Sequence, residues 1–130
     1  MPIILCLDPG TSHTGLAISQ EGILATPLAT IYEKDLELLI AKLKLFLERF
    51  HPDIIVIGVP EFGHIVSLSI SLSEKLHDIF SGEIIFHRED LSSGAARHTM
   101  KELKKTLAKR KREEHQTAAA LILQDFLDSL

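Results

Sequence analysis

The stretch that decides the fold is IILCLDPGTSHTGLAIS, residues 3–19. It opens with a continuous apolar run, Ile3 to Leu7, that stops before a Pro-Gly turn, which is typical of a strand buried on both faces. A second strand is predicted from Thr14 to Ser19 and a third from Ile23 to Tyr32. The short polar link between them, Gln20 to Gly22, favours an antiparallel hairpin.

The rest of the chain alternates helical and strand patterns. The further elements predicted are a helix from Asp35 to Phe50, strands at Asp53–Val59 and Glu83–His87, and helices at Ser93–Leu107 and Glu114–Leu127. Residues 65–79 fit both strand and helix spacing, and we predict a helix because parallel strands need a long crossover. The pattern indicates an α/β fold with a mixed five-stranded sheet, one antiparallel hairpin strand and flanking helices.

Size and composition restrict the class of protein. The chain has 130 residues, 45% hydrophobic and 25% charged, which predicts a single domain over residues 1–130 and excludes disorder or a disulfide scaffold. The single Cys6, within an apolar run, is interpreted as a buried packing residue. Neither a leader peptide nor a membrane span is recognised, so we expect a cytoplasmic protein that does not bind membranes.

The net charge of −4 hides an uneven distribution. The segment from Lys101 to Arg112 carries seven basic residues and one acidic residue, a net +6, whereas the remaining 118 positions carry 7 basic and 17 acidic residues, a net −10. We call residues 101–112 the basic segment. A solvated helix face would explain it, but such a split also favours one surface that faces a polyanion.

Three segments could carry chemistry at the carboxyl edge of the predicted sheet, where α/β folds place their sites. Asp8 follows the first strand, and could hold a metal or simply cap the Pro-Gly turn. Glu89 and Asp90 follow another strand, and because side chains alternate, at most one of them should share a site with Asp8. His115, at the start of the last helix, matters only if that helix begins at the same edge.

Four segments give the chain a family resemblance. They are LDPGTSHTGLAIS (residues 7–19), IIVIGVP (residues 54–60), REDLSS (residues 88–93) and HQTAAALILQDFLD (residues 115–128). In the same order and over nearly the whole chain, they resemble the YqgF/RuvX family of Holliday junction resolvases and pre-16S rRNA nucleases. The resemblance implies a ribonuclease H-like fold and a metal-dependent nuclease, a hydrolase, that uses Mg²⁺ or Mn²⁺.

The resemblance also implies site residues. Asp8 and Glu89 match catalytic acids of the family and would be metal ligands, and His115 stands where the family has Asp and would be the third. Since imidazole suits transition metals better than Mg²⁺, we expect a shift towards Mn²⁺. The residues expected to bind nucleic acid are His13, Arg97, Lys101, Lys104, Lys105, Lys109, Arg110, Lys111 and Arg112.

The expected function is processing of the precursor of small-subunit ribosomal RNA, by a monomer or weak homodimer. Two alternatives stay open: a Holliday junction resolvase that acts on branched DNA, and a catalytically inactive RNA-binding factor in ribosome assembly. The replacement of the family Asp by His115 keeps the second of these open. With 5% aromatic residues, the chain offers little base-stacking surface, which favours a structured substrate over a single strand.

Overall fold

Five strands form one mixed sheet in this computed structural model, which describes residues 2–60, 63–88 and 114–130. The strands are β1 (Ile4–Pro9), β2 (Thr14–Ser19), β3 (Thr26–Ile31), β4 (Ile54–Val59) and β5 (Glu83–Arg88). Their order across the sheet is β3-β2-β1-β4-β5. β2 runs antiparallel to both neighbours, and β1, β4 and β5 are parallel. The predicted mixed sheet is confirmed.

Three helices are described: α1 (Leu36–Phe50), α2 (His64–Leu76) and α3 (Glu114–Asp128). α1 begins where the Asp35 carboxylate accepts a hydrogen bond from the Leu38 amide at 3.1 Å, and it ends at His51, which adopts a left-handed conformation. The helix predicted over residues 93–107 lies outside the described residues. None of the described helices is long and apolar enough to cross a membrane.

The serine-rich segment between β4 and β5 is a helix, as predicted, although its serines alternate with apolar residues. The buried hydroxyls of Ser69 and Ser73 donate to the carbonyl oxygens of Ile65 and Ile70, at 2.9 and 2.8 Å. A helix can bury serine in this way because the hydroxyl bonds to a carbonyl of the preceding turn. The polar half of the pattern therefore does not require a solvent-facing strand.

The third strand begins later than predicted, at Thr26 instead of Ile23. The reason is Gln124 of α3, whose side chain bonds to the backbone on either side of Leu24. Its amide oxygen accepts from Ala25 N–H at 3.0 Å, and its amide nitrogen donates to the Ile23 carbonyl at 3.1 Å. These groups are satisfied by a helix side chain, so the connection after β2 is longer than the three-residue link expected from the sequence.

The inner strands β1, β2 and β4 are buried on both faces, whereas β3 and β5 at the sides of the sheet are partly exposed. Alternate residues of β1 face opposite helices. Leu5 and Leu7 of β1 belong to the cluster under α1 and α2. Ile4 and Cys6 belong to the cluster under α3. Cys6 is fully buried, which confirms its expected packing role. By the same alternation, Asp8 lies on the α3 face of the sheet.

Candidate metal and nucleic-acid site

Asp8 stands at the carboxyl edge of the central strand. It is the next-to-last residue of β1, and its register partner on β2 is Gly15. Side chains of directly opposed residues share a face and lie about 5 Å apart. Asp8, a partly exposed residue, is therefore held by a rigid strand next to a position that has no side chain.

The missing side chain at Gly15 makes room for the start of α3. A Cβ on Gly15 would overlap the carbonyl group of His115 and lie 3.1 Å from the Gln116 nitrogen. Only glycine allows the first turn of α3 to approach the strand this closely. The condition set for His115 is thus met, because its helix begins at the same edge and on the same face as Asp8.

His13 packs directly on His115. The ring centroids are 3.4 Å apart and the planes differ by 23°, so the two imidazoles are stacked. The loop that carries His13 is closed by a hydrogen bond from Gly10 N–H to the His13 carbonyl, at 2.7 Å. The His13 ring lies back over this loop, since a Cβ on Gly10 would be 2.7 Å from its Nε2. The loop after Asp8 therefore contacts the imidazole of His115 through the stacked ring of His13.

The environment favours a neutral ring at His13. Burial lowers the pKa of His13, proximity to His115 lowers it further, and the Glu114 carboxylate opposes both effects. A shift below the ordinary histidine value leaves His13 uncharged at pH 7. The neutral ring stacks on its neighbour without like-charge repulsion, and it does not add a cation to a site expected to bind a metal.

A third ring completes the group. Tyr32, just beyond the end of β3, has its ring centroid 6.3 Å from that of His115, with the planes at 77°. The chain contains one tyrosine, and sequence analysis assigned it no role. Its signal was only its place at the end of a predicted strand. The contact itself depends on the packing of α3 over β2 and β3.

The structure stacks the ring of His115 on that of His13, and it places the backbone of His115 against Gly15, the register partner of Asp8. Glu89, Arg97 and the basic segment lie outside the described residues. Within the described ranges, no three His, Cys, Asp or Glu side chains form a group that could hold a metal ion. Asp8 and the start of α3, which carries His115, lie at the same edge and on the same face of the sheet, and carboxylate and imidazole are both groups that bind divalent metals.

Comparison with known proteins places this chain in a family. Residues 2–129 match the family described as "RuvX: Holliday junction resolvase". The chain belongs to this family. The predicted resemblance is confirmed, and with it the expected enzyme class, because RuvX proteins are nucleases and hence hydrolases. The family implies dependence on a divalent metal.

Relatives and solved structures agree with this membership. A Staphylococcus aureus (strain JH9) protein named "Putative pre-16S rRNA nuclease" is 36% identical, covering 98% of this chain and 96% of its own. A Clostridium beijerinckii protein of the same name is 30% identical, with the same coverage of both chains.

The fold resembles that of Thermus thermophilus RuvC in complex with a Holliday junction substrate, with TM-score 0.66, 14% identity, and coverage of 98% of this chain and 94% of the other. It also resembles the fowlpox virus Holliday junction resolvase, with TM-score 0.60, 16% identity, and coverage of 98% and 99%. These similarities confirm the ribonuclease H-like fold of this RuvX protein.

Proposed function

We propose that this RuvX protein processes the precursor of small-subunit ribosomal RNA in the cytoplasm, as a single-domain monomer or weak homodimer. The observation that carries the proposal is the juxtaposition of Asp8 and His115 across Gly15. The choice of substrate rests on the relatives named pre-16S rRNA nuclease, which match nearly the whole chain. Holliday junction resolution is the second candidate, favoured by the description of the family.

In this proposal Asp8, Glu89 and His115 hold the divalent metal. Ile85 and His87 of β5 face α3, because Ile85 packs in the α3 cluster and His87 bonds to Asp125 of α3. Glu89 lies outside the described residues, and its inclusion rests on the family resemblance. When bound, a divalent metal supplies an activated water and offsets the charge on the leaving oxygen. Asp8 and His115 fix its position from a strand and a helix.

Replacement of His115 by aspartate is expected to change the metal preference. The parent protein should cleave faster with Mn²⁺ than with Mg²⁺, and His115→Asp should lower that rate ratio by about tenfold, since a carboxylate suits Mg²⁺ better than imidazole does. Cleavage rates in each metal, together with calorimetric titration of each metal into the protein, measure this. His77→Asp, an exposed position at the end of α2 on the opposite face, is the control. Equal rates in both metals for the parent would contradict the role of His115.

The basic segment is proposed to bind backbone phosphates. Reversal of two charges, Lys105→Glu with Lys109→Glu, should reduce the slope of log Kd against log salt by about 2, or roughly 0.9 for each lost phosphate contact. Filter binding over a salt series measures the slope. The matched control reverses Lys44 and Arg49, exposed residues of α1, the helix that packs on the face of the sheet opposite α3. An unchanged slope would overturn this assignment.

The substrate is tested by incubation with precursor ribosomal RNA and with four-way DNA junctions, each in Mg²⁺ or Mn²⁺. Asp8→Asn protein serves as the blank. Cleavage of the RNA at a defined position supports the proposal, and cleavage of the junction alone supports the second candidate. Binding of either substrate without cleavage would favour an inactive RNA-binding factor in ribosome assembly.

A further inference from the structure

Tyr32 is an exposed aromatic residue next to the proposed metal site. It is 60% exposed, although its neighbour Ile31 is buried. Its ring meets that of His115 nearly at right angles instead of stacking on it. His115 is already stacked on its other neighbour, His13. The three rings thus form a row in which the last member, Tyr32, keeps most of its surface open to solvent.

An open ring at this place suits one class of ligand. Aromatic side chains stack with nucleobases of any sequence, because every base has a π face. Tyr32 directly follows β3, the strand next to β2, at the edge of the sheet where Asp8 lies and α3 begins. A base on Tyr32 would therefore belong to a nucleotide close to the phosphate being cleaved.

We propose that Tyr32 stacks on an unpaired base of the substrate next to the scissile phosphate. The inference rests on the proposed function, since it takes the site of Asp8 and His115 as the point of cleavage. It adds that the substrate has an unpaired nucleotide at that point. One stacking ring differs from the multi-aromatic platforms that bind long single strands, and it is compatible with a chain of low aromatic content.

The chain contains its own probe for this contact. It has one tyrosine and no tryptophan, so tyrosine emission reports Tyr32 alone. Asp8→Asn protein is titrated with two RNA hairpins of equal length, one fully paired and one with a single unpaired adenosine in the stem. Binding is followed separately by the anisotropy of an end label. RNA absorbs part of the exciting light and so lowers the emission of any tyrosine. This loss is measured with free N-acetyltyrosinamide in the same RNA solution, and the protein emission is corrected for it.

The unpaired hairpin should quench Tyr32 and bind more tightly than the paired one. Tyr32→Ala should weaken its binding about tenfold and abolish the preference, whereas Tyr32→Phe should keep it. Leu38→Ala, at an exposed position of α1 on the opposite face, should change neither.

Unchanged emission on saturation, or full affinity in Tyr32→Ala, would overturn the role of Tyr32. If the parent protein still cleaves RNA, the proposed function survives that result. If neither hairpin binds and no substrate is cleaved, both proposals fall.

Discussion

Gly15→Ala is expected to lower the free energy of unfolding by about 3 kcal/mol, the upper end of the cost of overpacking a well-packed core. The added Cβ would overlap backbone atoms of His115, which cannot rotate away as the tip of a side chain can. Either α3 moves off the sheet or β2 bends. Urea denaturation of the two proteins measures the difference.

The same substitution should also abolish cleavage, because it would move the start of α3, which carries His115, away from Asp8 on β1. Gly22→Ala is the control: Gly22 has φ +76°, and the nearest atom to a new Cβ is 4.0 Å away. Its loss should be about 1 kcal/mol, from left-handed backbone strain alone, with cleavage retained. If the free energy of unfolding of Gly15→Ala were within about 0.5 kcal/mol of the parent value, the start of α3 would not be packed against this strand.

Part of the fold can be predicted from short segments of the sequence. Short apolar runs closed by turn residues predict buried strands well, because a strand covered on both faces has no polar alternation to confuse the pattern. The start of β3 was predicted wrongly because Gln124, from the other end of the chain, supplies the hydrogen bonds of that backbone. No local pattern reports such a bond.

The site, too, can be predicted only in part from local sequence. The place of Asp8 at a sheet edge follows from strand order, which local sequence does predict. The stack of His13 on His115 could not be predicted from local sequence, because it depends on how α3 packs over β2. The one local signal for that packing was Gly15 itself, since a glycine inside a strand often marks the close approach of another backbone. That signal was not used in the expectations drawn from the sequence.

Asp8→Asn is expected to reduce kcat/KM at least 1,000-fold, equivalent to about 4 kcal/mol of transition-state stabilisation. Asparagine keeps the size of the side chain but removes the negative charge that a divalent cation requires. The free energy of unfolding without metal should change by less than about 1 kcal/mol, because the substitution leaves shape and packing intact. Initial cleavage rates and chelator-treated unfolding curves measure the two quantities.

A second readout separates metal binding from a structural role for Asp8. Mn²⁺ should raise the Tm of the parent protein and leave that of Asp8→Asn unchanged, since a ligand stabilises only the state that binds it. Asp125→Asn is the matched control. Asp125 lies at the far end of α3, where its half-exposed carboxylate pairs with His87 at 2.8 Å. Its loss should cost at most about 1 kcal/mol and spare both cleavage and the response to Mn²⁺. If Asp8→Asn kept a tenth of the parent activity and its response to Mn²⁺, Asp8 would be a cap of the Pro-Gly turn, and the metal would have to be held without it.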